Sequence, residues 1–274
     1  MTMILFATAC VTVIGLVCAI ALCMASKFMG VPVDENVERL TEALPGSNCG
    51  ACGYVGCADY ASALASGNET KPTLCTPGGS DTAKRLGEIL GVDAGAVAAK
   101  LAVVHCRTDC EALQTNLDYD GIKTCVAAKQ LFNGEGACAF GCIGFGDCQI
   151  VCPSDAICMD TGFAQIRTEL CTGCGLCIKA CPHRLITVED ASAATVILCK
   201  NMEKGALARK QCSYACIACR KCAKECPAGA ITVEDNLAAI DYEKCERCGH
   251  CAEICPTKCI QMAVSRMASA SASA

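Results

Sequence analysis

The chain opens with a run from Met3 to Ala25 that carries no charged side chain and only Thr8 and Thr12 among polar ones. Its 23 positions suffice for a helix across a bilayer, which needs about 20 apolar residues. No basic residue precedes the run, and it is longer than the apolar stretch of a secretory leader, so the pattern predicts an uncleaved single-pass anchor over 1–27. Lys27 and Arg39 follow it, which by the positive-inside bias places the C-terminal part on the cytoplasmic side of the cell membrane. Asp34 to Leu44 then reads as a short helix, with Val37, Leu40 and Leu44 on one face and Asp34 as N-cap. Ser80 to Leu90 reads as another, capped by Ser80 or Asp81, and Ala94 to Val104 is a further Ala-rich segment. Beyond it the pattern changes to short strand pairs. Ala156–Asp160 turns at Thr161-Gly162 into Phe163–Arg167, and Ala230–Val233 turns at Asp235-Asn236 into Ala238–Asp241. The Ser/Ala-rich end, 265–274, predicts a disordered tail. The fold class expected is α+β, in several small units behind an N-terminal helix.

Composition changes this picture at one residue type. Thirty of 274 residues are cysteine, while aromatics make up 4% and Trp is absent, so carbon cores must be thin. Bound metal is then expected to supply much of the folding free energy. A disulfide-bonded secreted scaffold would also use many cysteines, but such frameworks rarely repeat closely spaced triples. Net charge is −5, with no basic run interleaved with aromatics, which excludes nucleic acid as an expected partner.

The spacing of the cysteines names the metal. Cys171-x2-Cys174-x2-Cys177-x3-Cys181-Pro182 recurs as Cys216, Cys219, Cys222, Cys226-Pro227 and as Cys245, Cys248, Cys251, Cys255-Pro256; Cys138, Cys142, Cys148, Cys152-Pro153 is a looser relative. In this run three close thiolates grip one [4Fe–4S] cubane and the fourth ligates the neighbouring one. Tetrahedral zinc also takes C-x2-C pairs, but it does not ask for triples ending in Cys-Pro. Cys142, Cys148, Cys152, Cys171, Cys174, Cys177 and Cys181 each recur 74 residues later, so two copies of a two-cluster module are expected. Ligand crossing groups Cys138, Cys142, Cys148 and Cys181, then Cys152, Cys171, Cys174 and Cys177. The second copy gives Cys216, Cys219, Cys222 and Cys255, then Cys226, Cys245, Cys248 and Cys251. Phe145 stands where the second copy has Cys219, so the first copy must use Cys138; its counterpart Cys212 is an open substitute for Cys219. Cys49, Cys52, Cys57 and Cys75 form a fifth set among glycines, and there zinc is the more serious rival. Cys106, Cys110 and Cys125 read as structural thiols, with an additional metal site completed by a fourth cysteine as the alternative; Cys158, Cys199 and Cys259 read as buried thiols, and Cys10, Cys18 and Cys23 as apolar fillers of the anchor.

The anchor, the Pro45-Gly-x-x-Cys49-Gly-x-Cys52-Gly-x-x-Gly56-Cys57 stretch, Cys75-x-Pro-Gly-Gly and the downstream modules together resemble the B subunit of Rnf-type ion-translocating ferredoxin:NAD oxidoreductase complexes, over about residues 1–264. The resemblance implies a 4Fe-4S domain at 33–80, a linker at 81–134, ferredoxin-like modules at 135–200 and 205–264, and about five [4Fe–4S] clusters. It implies an electron relay working with other membrane and peripheral subunits, membrane lipid and soluble ferredoxin as donor or acceptor, and an enzyme complex in which this chain does no substrate chemistry. No nucleophile constellation, G-x-G-x-x-G or P-loop contradicts that, and His105, His183 and His250 read as neighbours of clusters rather than catalysts. A polyferredoxin subunit of a membrane hydrogenase, or a zinc-holding structural or sensor protein, remains as the alternative at this point.

Overall fold

A computed structural model describes residues 2–28, 35–95, 98–107, 115–193 and 195–262; within 2–28 it describes the side chains of Met3, Phe6 and 12–24. Helix α1, Thr2–Phe28, occupies the charge-free run. Its described side chains are exposed, among them Phe6, Ile14, Leu16, Val17 and Leu22. Among the described residues no helix is long and apolar enough to cross a membrane. The transmembrane span expected over 1–27 is therefore not shown. Cys10, Asp34, Cys110 and the expected tail lie outside the described side chains.

Three helices follow: α2 (Glu35–Ala43), α3 (Cys57–Ala65) and α4 (Gly79–Leu90). Glu35 and Glu38 sit in the first turn of α2, where the helix dipole favours them, and α4 stops at Gly91, whose φ of 70° serves the left-handed C-terminal turn. Leu40, Leu44, Tyr60, Leu64 and Leu86 fill the space between the three, which makes this a carbon-built core with Cys75 at its edge.

The rest is two α+β modules. Strand β1 (Lys100–Val104) is formed by the end of the Ala-rich segment and pairs antiparallel with β4 (Ile186–Asp190), Ala102 opposite Val188. Between them lie α5 (Cys125–Gln130), α6 (Asp147–Ile150), the β2 (Ile157–Cys158) and β3 (Gln165–Ile166) hairpin, and α7 (Leu176–Ala180). The second module opens with β5 (Thr195–Ile197) and α8 (Gly205–Gln211), continues through α9 (Lys221–Lys224), β6 (Ile231–Glu234), β7 (Leu237–Ile240) and α10 (His250–Ile254), and closes with β8 (Ile260–Met262), which pairs with β5. Both expected hairpins form. In the second, Asp235 and Asn236 take φ of 48° and 62°, the left-handed pair that a two-residue hairpin turn requires.

Alternation along β1 ties the modules together. Ala102 and Val104 face the first core, with Ile157, Leu185 and Ile186, while Val103 faces Val196 and Leu198 of the second module. His105 Nδ1 donates to the Ile197 carbonyl at 2.7 Å, and Arg107 donates to the Lys258 carbonyl at 3.0 Å. Thus β1, which lies in the stretch expected as linker, is built into the first module and touches the second.

Candidate iron–sulfur sites

Each cysteine run is folded by the same local devices. The third cysteine of a run rides in a one-turn helix, Cys148 in α6, Cys177 in α7, Cys222 in α9 and Cys251 in α10. Each of those helices is entered through a residue with positive φ: Gly146, Gly175, Arg220 and Gly249. After each Cys-Pro the chain makes one more tight turn, in which the amide of Asp155, Arg184, Gly229 or Lys258 donates to the carbonyl of Cys152, Cys181, Cys226 or Cys255. Proline fixes φ at the second position of that turn. The following amide is then aimed at the sulfur: Ala156 N–H to Cys152 Sγ at 3.3 Å and Leu185 N–H to Cys181 Sγ at 3.4 Å. Ala102 of β1 does the same for Cys171 Sγ at 3.4 Å. Strand β1 approaches so closely that a Cβ on Gly173, at φ +66°, would lie 2.4 Å from the Lys100 carbonyl oxygen.

The described cysteines are free thiols. Among the described residues no three His, Cys, Asp or Glu side chains are grouped so as to hold a single metal ion. The sets are wider gatherings, legible in the cavities they line and in which thiols raise one another's pKa. Burial, then Cys57, Cys52 and Cys49, push the Cys75 thiol up, which groups the N-terminal four. Cys177 is pushed up to about 12, first by burial and then by Cys174, Cys171 and Cys152. Cys222 is pushed up to about 11 by burial, with Cys216, Cys219 and Cys255 adding to it. Cys226, Cys245, Cys248 and Cys251 line one cavity. In both copies a thiol of one run thus gathers with the other run, Cys152 with the triple that follows it and Cys255 with the triple that precedes it.

One expected set is rearranged. Cys142, Cys148 and Cys181 share their cavity with Cys125, and Cys138 is absent from its lining. Burial raises Cys148 to about 12, with Cys142, Cys125 and Cys181 as the neighbouring thiols that add to it. The reason is a dock between α5 and α6: the Asp147 carboxylate accepts the amides of Cys125 at 3.0 Å and Val126 at 3.1 Å, which holds Cys125 over the place that Phe145 leaves without a thiol. Cys138 and Cys212 line a different cavity, between the modules, whose lining does not include Cys219. Spacing alone reads Cys125 as a structural thiol. The missing cysteine at 145 is the available signal for a thiol brought in from elsewhere in the chain.

His183 lines the Cys125 cavity, with Nδ1 donating to the Gly141 carbonyl at 2.7 Å and a buried Nε2 that has no protein partner. Cys259, in contact with Cys255 at 3.7 Å between sulfurs, lends it a hydrogen bond that draws Cys255 down to about 5. A donor set of four thiols, with amide N–H groups aimed at several sulfurs, fits a [4Fe–4S] cubane, whose potential is set by such hydrogen bonds and by burial.

Three family models match in series: an Fe-S cluster model over residues 44–77, the LdpA Fe-S cluster-binding domain over 135–192, and the 4Fe-4S dicluster domain over 215–259. The chain is 39% identical to the B subunit of the Na(+)-translocating ferredoxin:NAD(+) oxidoreductase complex of Acetobacterium woodii, over 90% of this chain and 74% of the relative. It is 37% identical to the B subunit of the proton-translocating ferredoxin:NAD(+) oxidoreductase complex of Clostridium ljungdahlii, over 93% and 90% of the two chains. It is 36% identical to the B subunit of the ion-translocating oxidoreductase complex of Methanosarcina acetivorans, over 91% and 94%. With each relative spanned over more than two thirds of its length, the chain belongs to the family of B subunits of ion-translocating ferredoxin:NAD(+) oxidoreductase complexes.

Proposed function

We propose that this chain is the membrane-held electron relay of such a complex, with flavin, nicotinamide and ion chemistry left to its partner subunits. What supports this reading is that in both modules a thiol of one run gathers with the other run, Cys152 with Cys171, Cys174 and Cys177, and Cys255 with Cys216, Cys219 and Cys222. The proposed sets are Cys49, Cys52, Cys57 and Cys75; Cys125, Cys142, Cys148 and Cys181; Cys152, Cys171, Cys174 and Cys177; Cys216, Cys219, Cys222 and Cys255; and Cys226, Cys245, Cys248 and Cys251. When bound, each cubane takes up and returns one electron. The protein supplies the thiolates, the amides that stabilise them and the apolar wall that sets the potential.

Two features support the second module as the port for soluble ferredoxin. Cys219 and Cys248 are exposed, whereas the thiols proposed as ligands in the first module are buried or half-buried. From Lys200 to Glu225 the chain carries Lys200, Lys204, Arg209, Lys210, Arg220, Lys221 and Lys224 against Glu203 and Glu225, on a protein whose net charge is −5. An acidic carrier would be steered there. At the other end, α1 has 27 residues, a helix of about 40 Å at 1.5 Å each, and exposes apolar side chains wherever they are described. It is proposed to sit in membrane lipid with the modules on the cytoplasmic side.

The full chain, purified without oxygen, should be brown, carry at least about twenty iron atoms for its five sets, and be reduced by soluble ferredoxin. Lys221→Glu with Lys224→Glu should raise the KM for ferredoxin several-fold at low salt and leave reduction by dithionite unchanged. A colourless protein with stoichiometric zinc would end this reading.

A further inference from the structure

The cavity between the modules is lined by four thiols that none of the five sets uses: Cys106, Cys138, Cys199 and Cys212. Two come from each side. Cys106 follows β1 and Cys138 precedes the first ligand run, while Cys199 follows β5 and Cys212 ends α8. They feel one another. Burial and then Cys142, Cys138 and Cys212 raise the Cys106 thiol, and Cys138 is a neighbour of Cys199. Three of the four sulfurs accept an N–H. Cys142 donates to Cys106 Sγ at 3.5 Å, Cys216 to Cys199 Sγ at 3.3 Å, and the Asn201 side-chain amide to Cys138 Sγ at 3.4 Å. The same contact marks Cys152, Cys171 and Cys181 among the ligand sets. Asn201 is 1% exposed and is locked for this purpose, giving a second N–H to Gln211 at 2.9 Å and accepting the Glu203 amide at 2.8 Å. Arg107, stacked 3.6 Å above the Tyr214 ring, lends a positive charge beside Cys212.

The repeat explains why these thiols are available. Cys199 lies 74 residues after Cys125, and Cys212 lies 74 after Cys138. In the first module Cys125 fills the place of the missing thiol at Phe145. In the second module Cys219 is present, so Cys199, the counterpart of Cys125, is released to face the other module.

We infer that Cys106, Cys138, Cys199 and Cys212 hold a sixth [4Fe–4S] cubane, which bridges the two modules. The inference rests on the relay reading above. A cubane held there would supply a one-electron centre, cycling between 2+ and 1+, placed between the sets of the second module and the Cys125 set of the first. Flow in either direction is balanced, and no bond or proton is exchanged. Each side of the bridge is one amide hydrogen bond from a neighbouring ligand, Cys142 on one side and Cys216 on the other.

The test is a count on the full-length chain prepared anaerobically. Six cubanes predict about twenty-four iron and as many acid-labile sulfides, at about four each, with about six electrons taken up in a reductive titration. Cys199→Ser together with Cys212→Ser should remove about four iron and one electron, leave the remaining EPR signals, and slow electron passage between modules at least tenfold. Cys158→Ser, at a buried thiol outside every set, should change none of these. A native chain with about twenty iron and five electrons overturns the bridge and leaves the five-set relay standing. So does a single zinc ion beside five cubanes. A native chain without iron overturns the relay and the bridge together.

Discussion

A buried thiol resists becoming the thiolate that iron requires, and this resistance sets how the sites respond to pH. In the folded chain without metal, Cys148 and Cys177 are held at about 12, well above the ordinary thiol range, so the fold favours their protonated form. That contribution to stability is complete below the ordinary thiol pKa and is lost as pH rises through about 12. Iron uptake runs the other way, since each ligand must shed a proton on binding. Anaerobic reconstitution should therefore tighten steadily from about pH 6.5 to 9 and release roughly one proton per bound thiol; a pH-independent affinity would contradict the thiol energetics described here. Single residues also separate the two groupings open to the first module. Cys125→Ser should abolish one cubane, about four iron, and its EPR signal, whereas Cys138→Ser should leave the signals of the Cys142, Cys148 and Cys181 site intact. Most of the thiol groupings are readable from sequence because x2 spacing forces neighbouring thiols onto one short loop. That of Cys125 is not, because its place depends on Asp147 capturing two amides from a segment 22 residues away.

At the scale of elements, β1 is the piece whose role spacing could not reveal. An Ala-rich stretch carries little sign of strand or helix, and its pairing partner β4 lies more than 80 residues further on. Once paired, it closes over the Cys171–Cys174 loop, donating through Ala102 and leaving no room for a side chain at Gly173. Gly173→Val must enter a left-handed backbone conformation and push the Lys100 carbonyl aside. It should destabilise the first module by about 2 kcal/mol or more and broaden the EPR signal of the Cys152, Cys171, Cys174 and Cys177 site. Unaltered thermal unfolding of the reconstituted variant would show that β1 does not press on that loop. The hairpins, by contrast, are legible from their turn residues alone. Asp235 and Asn236 are residues that tolerate positive φ, and they take it.

Across the whole molecule the three cores are built from different material. That of α2, α3 and α4 is Leu40, Leu44, Tyr60, Leu64 and Leu86 with a single buried cysteine, Cys75, whereas the module cores contain Cys148 and Cys177 in one and Cys216, Cys222, Cys255 and Cys259 in the other. Stripping iron with a chelator should therefore unfold residues 98–262 while α2 and α4 keep their amide protection, a difference that hydrogen exchange would read directly. Uniform loss of protection would mean that the helical unit, too, is held by metal. The thin carbon cores were foreseeable from composition; the division between the units was not, because it depends on which apolar residues the helices bring together. The antiparallel seams β1–β4 and β5–β8 have a further consequence. In each module the first strand lies beside the last, so its entrance and exit are neighbours. A gene segment encoding such a unit can be duplicated in tandem without disturbing the copy already present, in keeping with the 74-residue recurrence of the cysteines.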